Sequence, residues 1–102
     1  MNEMPKRLMI GGLPHKVREV DSGLMTDEDS LGECDWVDQI ISILECMPHK
    51  KKRNVLMHEI CEGLTGTHII EIPHEALSVL ATELLRVFDD NPKLRGYLWP
   101  GK

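Results

Sequence analysis

The chain has 102 residues, 41% hydrophobic and 28% charged, with a formal net charge of −5. That balance excludes a disordered or fibrous chain, and the length suits one domain. Only Trp36, Phe88, Tyr97 and Trp99 are aromatic and the charge is negative, so a nucleic-acid surface is not expected.

Lys6 to Ile10 reads as a short strand stopped by Gly11-Gly12. Leu8-Met9-Ile10 is too short for the core of a secretion signal, and no apolar run approaches the roughly 18–20 residues of a membrane span. His15 to Val20 has the alternation of an edge strand. Residues 21–30 are acidic and turn-rich and read as a loop. Gly32 to Trp36 and Gln39 to Leu44 then face each other across Val37-Asp38 as a β-hairpin. Residues 1–47 therefore form a sheet region, expected as a small antiparallel sheet of about three strands.

The second half reads as two helices. Pro48 opens the first, within residues 48–66, and Gly66 supplies a left-handed stop. Leu56, Ile60 and Leu64, with Met57 and Cys61, make one apolar stripe for packing on the sheet. Pro73 opens the second helix, residues 73–91, with Leu77, Leu80, Ala81, Leu84 and Phe88 on its buried face. Asn91-Pro92 ends it, because a residue before proline leaves the helical region. Residues 92–102 are a tail that can dock through Leu94, Tyr97, Leu98 or Trp99. The expected fold class is α+β, a sheet followed by two packed helices.

Cys34, Cys46 and Cys61 are odd in number, so they cannot close a complete disulfide framework within one chain. With no secretion signal, reduced thiols in a cytoplasm are expected. Cys46 and His49 have a Cys-x-x-His spacing, but the second pair that a structural zinc knuckle needs is missing.

The densest chemical cluster is His58-Glu59-Ile60-Cys61-Glu62. Residues four apart on a helix share a face, so His58 and Glu62 can both reach one metal ion. Glu59 lies between them on an adjoining face. This is the arrangement of His-Glu-x-x-His zinc peptidases, with two ligands one turn apart and Glu59 as general base. Here Glu62 stands in place of the second histidine, and a carboxylate is an acceptable zinc ligand. A catalytic zinc site needs a third protein ligand. His74, in the first turn of the second helix, shares the inward face with Leu77, Ser78 and Ala81. It either completes the site or is a hydrogen-bonded structural histidine. His68, in the connection, is the next candidate, whereas His15 and His49 are expected to be exposed and inert. Lys50-Lys51-Lys52-Arg53 is the only concentrated basic run. It reads as a solvated first turn, or as a contact for an acidic partner or nucleic acid.

Several short segments carry a resemblance. They are Gly32 to Asp35, Gln39 to Ile43, the basic run leading into Val55-Leu56-Met57-His58-Glu59-Ile60, and Leu77 to Leu85 closed by Asp90-Asn91-Pro92. Together, across residues 30–92, they resemble phage and prophage members of the ImmA/IrrE-type metallopeptidase superfamily, a minimal zincin fold. The resemblance implies one zinc ion, a protein or peptide substrate, and a bacterial or phage-infected cytoplasm. That family has His-Glu-x-x-His and an acidic third ligand. This chain departs from it twice, with Glu62 and His74, and still keeps two histidines and one glutamate. The alternative is a non-catalytic phage regulatory or interaction protein that retains the scaffold and binds a host or phage regulator.

Overall fold

Gly11 and Gly12, with φ of 59° and 80°, turn the chain between β1 (Arg7–Ile10) and β2 (Leu13–Val20). Glycine takes such angles without crowding a Cβ, and the two strands pair antiparallel with Ile10 opposite Leu13. These elements come from a computed structural model that describes residues 3–27 and 29–101. A long connection containing a single 3-10 turn (Ser22–Leu24) leads to β3 (Gly32–Asp35) and β4 (Ile40–Leu44). The expected hairpin is present, antiparallel, with Asp35 opposite Ile40. Its turn is held by Asp35 Oδ1, which accepts from the amides of Val37 and Asp38 at 3.1 and 3.0 Å.

The sheet differs from expectation in two ways. It has four strands rather than about three, in the order β1-β2-β4-β3. It is mixed rather than antiparallel, because β2 and β4 run parallel, from Lys16 beside Ile40 to Val20 beside Leu44. β2 is therefore interior, not an edge, and β1 and β3 form the edges. The connection through residues 21–31 and β3 is long enough to bring the chain back in the same direction. The reward is burial: Val17 lies beside Ile41, and Ile41 and Ile43 are completely covered. His15 follows from the same placement. Expected at the surface, it is 1% exposed on the interior strand, with Nδ1 3.0 Å from the Leu13 carbonyl.

α1 (His49–His68) lies across the sheet face that carries Ile10, Val17, Ile41 and Ile43. Val55, Leu56 and Ile60 pack against that core. Leu64, expected in the stripe, is 38% exposed, and buried Gly63 continues the contact instead. The helix also passes through Gly66, expected as its stop. It ends at Ile69, which has φ 54° and whose amide donates to the carbonyls of Gly66 and Thr65. Gly66 serves a different purpose, since a Cβ there would lie 3.1 Å from Trp36 Cγ. The indole from the hairpin turn covers the helix where the side chain is missing.

Gly32 is the tighter contact between β3 and α1. A Cβ at Gly32 would lie 2.6 Å from Val55 Cγ1 and 3.3 Å from Glu59 Oε2. Gly32→Ala should therefore cost about 1–3 kcal/mol through overpacking. Thermal unfolding followed by circular dichroism should show a midpoint lower by roughly 5–20 °C. An unchanged midpoint would mean that strand and helix separate freely.

α2 (His74–Asp90) packs chiefly on α1, so only a narrow stripe is covered. Leu77 and Ala81 are buried, whereas Leu80 and Leu84, expected on the same face, are 49% and 39% exposed. The tail forms a third helix, α3 (Pro92–Leu98), and Trp99 lies against Phe88 with ring centroids 6.3 Å apart. Among the described residues, no helix is long and apolar enough to cross a membrane.

Candidate metal centre

Helical spacing puts His58 and Glu62 on the same face of α1, and His58 Nε2 lies 3.2 Å from Glu62 Oε1. The left-handed residue Ile69 and residues 70–73, which belong to no helix or strand, then reverse the chain. This brings the first turn of α2 alongside the same stretch of α1. His74 Nδ1 lies 3.4 Å from the same Glu62 oxygen, and the two imidazole rings meet edge-on at 4.6 Å. One ligand atom from each of His58, Glu62 and His74 lies within 4.8 Å of the other two. Among the described residues, this is the one group of three such side chains that could hold a metal ion.

The donor set fits a tetrahedral ion. Ligands about 2.0–2.1 Å from zinc stand roughly 3.3–3.4 Å from one another at a tetrahedral angle. The two contacts with Glu62 already have that length. Ser78, one turn beyond His74, places Oγ 3.1 Å from His58 Nδ1. With the Nδ1 proton donated to Ser78, Nε2 keeps its lone pair for an ion. Burial, with a smaller contribution from neighbouring His74, lowers the pKa of His58 and keeps the ring neutral. A neutral imidazole is the form that ligates. The sequence carries one signal for this contact, the position of Ser78 four residues after His74 on the same helical face.

Glu59 is 6% exposed and sits beneath Gly32. Burial first, then the charges of Glu62 and Glu33, push its pKa up to about 7. His58, Glu59, His74 and Ser78 line one cleft of about 360 Å³, closed on its far side by Ser30 to Gly32. Glu62 lines a second hollow of about 560 Å³, together with Trp36, Ile70 and Ile72. His74 has a 74% exposed side chain, so the centre opens to solvent on the α2 side.

The other candidates lie elsewhere. His68 ends α1 and is exposed, and neither it nor His15 or His49 joins the group. All three cysteines are free thiols. Burial, then nearby carboxylates, raises Cys34 from 9.0 to about 11, and Cys61 is raised for the same reasons. Only Cys46 is exposed. A thiol reagent at pH 8 should therefore label Cys46 quickly, with Cys34 at least about a hundredfold slower because its thiolate is scarce. Mass spectrometry of the native and unfolded protein checks this, and rapid labelling of Cys34 would contradict its burial.

Comparison with family models, with curated proteins and with solved structures finds no match to this chain.

Proposed function

We propose that this chain is a zinc-dependent peptide hydrolase of the minimal zincin type, with His58, Glu62 and His74 as metal ligands and Glu59 as general base. The observation that carries the reading is the convergence of two imidazoles on the Glu62 carboxylate, with both imidazoles lining the same cleft as the buried carboxyl group of Glu59. Two histidines and a glutamate are a catalytic zinc set, which leaves a coordination position open. The resemblance of the helix motif to the ImmA/IrrE-type metallopeptidases supports the same reading.

Zinc, when bound, supplies Lewis-acid polarisation of the peptide carbonyl and a lower pKa for water. The protein's own residues do the rest. Glu59 Oε takes a proton from water as its oxygen adds to the carbonyl carbon. The same carboxyl returns the proton to the amine nitrogen as the C–N bond breaks. Ser78 holds the His58 ring in one tautomer and orientation. β3, an edge strand beside α1, can take an extended peptide by strand addition.

The test uses zinc-loaded protein and a peptide mixture read by mass spectrometry. Wild type should cut, and Glu59→Gln should cut about 10²–10⁴-fold more slowly with zinc retained. Equal rates would refute the role of Glu59. One observation favours a second reading, a non-catalytic interaction protein. Leu80, Leu84 and Val87 form an exposed apolar stripe along α2. Zinc binding without hydrolysis of any peptide would favour it.

A further inference from the structure

β3 and α1 run side by side in the same direction. Gly32 lies over Val55 and Glu59, Cys34 over Gly63, and Trp36 over Gly66. The metal-centre residues thus lie in a groove with two unlike ends. At the Gly32 end the cleft wall includes Lys51, Asn54 and Thr82. At the other end the hollow is walled by Trp36, Ile70 and Ile72, which leave 54%, 54% and 37% of their surface open, together with Thr65 and Glu71. His58 and His74 belong to the Lys51 cleft and Glu62 to the Trp36 hollow, so the centre straddles the boundary.

Lys51 is distinctive within the basic run. Lys52 pairs with Glu19 and Arg53 forms a two-pronged bond to Asp89, both away from this cleft. Of the four cations, only Lys51 lines the cleft, and among the described residues no carboxylate lies within 4.0 Å of it. Glu59 and Glu62 follow it by eight and eleven residues. That is about 12 and 16 Å along the helix, beyond a Debye length at physiological salt. Among the described residues the Lys51 charge is therefore left for a ligand. His58 is seven residues, about 10 Å, from Lys51, the span of three residues of extended peptide.

We infer that this groove selects an extended peptide with an apolar side chain in the Trp36, Ile70 and Ile72 hollow and an acidic group at Lys51. The inference rests on the reading of the site as a peptide-hydrolysing centre and names its substrate class. Antiparallel pairing with β3, the more stable arrangement per residue, sets the direction. The peptide then runs from Trp36 toward Gly32, with the apolar residue N-terminal to the scissile bond and the acidic group C-terminal to it.

The test uses decapeptides with Leu or Lys on the N-terminal flank and Glu, Gln or Lys on the C-terminal flank. Binding to zinc-loaded Glu59→Gln protein is read by fluorescence polarisation, and cleavage by wild type by mass spectrometry. The Leu/Glu peptide should bind tightest. Adding Lys51→Glu should weaken it about tenfold and improve the Leu/Lys peptide, and Ile70→Asp should erase the preference for Leu. Lys51 is exposed, so circular dichroism should show an unchanged fold. Equal binding of all peptides, or a ranking unmoved by Lys51→Glu, overturns the inference. Cleavage without selectivity overturns it and leaves the hydrolase reading standing. Selective binding without cleavage does the reverse.

Discussion

Dialysed protein should hold one zinc ion per chain, and His58→Ala and His74→Ala should each abolish that stoichiometry. The two imidazoles reach the Glu62 carboxylate from different helices, so an ion at their meeting point ties α1 to α2. An ion that binds only the folded chain stabilises it by about 2.7 kcal/mol when its free concentration is about a hundredfold above Kd. For a domain of this size the thermal midpoint should rise by roughly 10–20 °C, and a chelator should reverse the rise. Either histidine variant should lose the rise. His68→Ala should keep it, because His68 stands outside the group. Ser78→Ala should weaken zinc by about 10–100-fold, since it frees the His58 ring to rotate or change tautomer. Elemental analysis together with thermal scans reads all four variants. Stoichiometric zinc in both His58→Ala and His74→Ala would rule out the centre as described.

Glu59→Gln should separate chemistry from stability. In catalysis the variant loses the group that accepts the proton. In the metal-free protein it removes a buried acid whose pKa is raised to about 7 from 4.5. The folded state then favours the protonated form. The stabilising contribution is complete below about pH 4.5 and is lost as pH rises through about 7. A shift of this size corresponds to about 3 kcal/mol between the two ends of that range. Glutamine mimics the neutral carboxyl and cannot titrate. Metal-free Glu59→Gln should therefore match wild type at pH 4.5 and exceed it by about 3 kcal/mol at pH 8, as read by urea unfolding. Parallel pH profiles for the two proteins would show that Glu59 is not buried in the metal-free state.

The positions that depend on near neighbours in the chain were legible before the fold was known. Pro48 and Pro73 stand at the N-caps of α1 and α2, where a missing N–H costs no helical hydrogen bond. The hairpin follows from two β-forming arms around a short turn. His58 and Glu62 face one way because four residues make about one helical turn. Spacing puts His74 on the face of Leu77 and Ala81, expected to pack inward, yet its side chain is 74% exposed because it lies in the first turn of α2, at the solvent side of the centre. Other features rest on partners distant in sequence. The parallel pairing of β2 with β4 buried His15, whose own neighbours suggest an exposed position. Gly66 has the signature of a helix stop, yet Trp36, thirty residues earlier, needs it bare. Leu80 and Leu84 remain open because α2 packs chiefly on α1, with a smaller contact to α3.

The sequence by itself determined the α+β class, the two long helices, and a histidine and glutamate one turn apart on the first of them. Those properties are set within a few residues by backbone geometry and the period of apolar side chains. Tertiary structure alone decided the strand order, the approach of His74 to Glu62, and the placing of Ser78 behind His58. It also decided that Lys51, and neither Lys52 nor Arg53, faces the cleft. These depend on which buried surfaces meet, and contacts between segments far apart in the chain are chosen by the packing of the whole core.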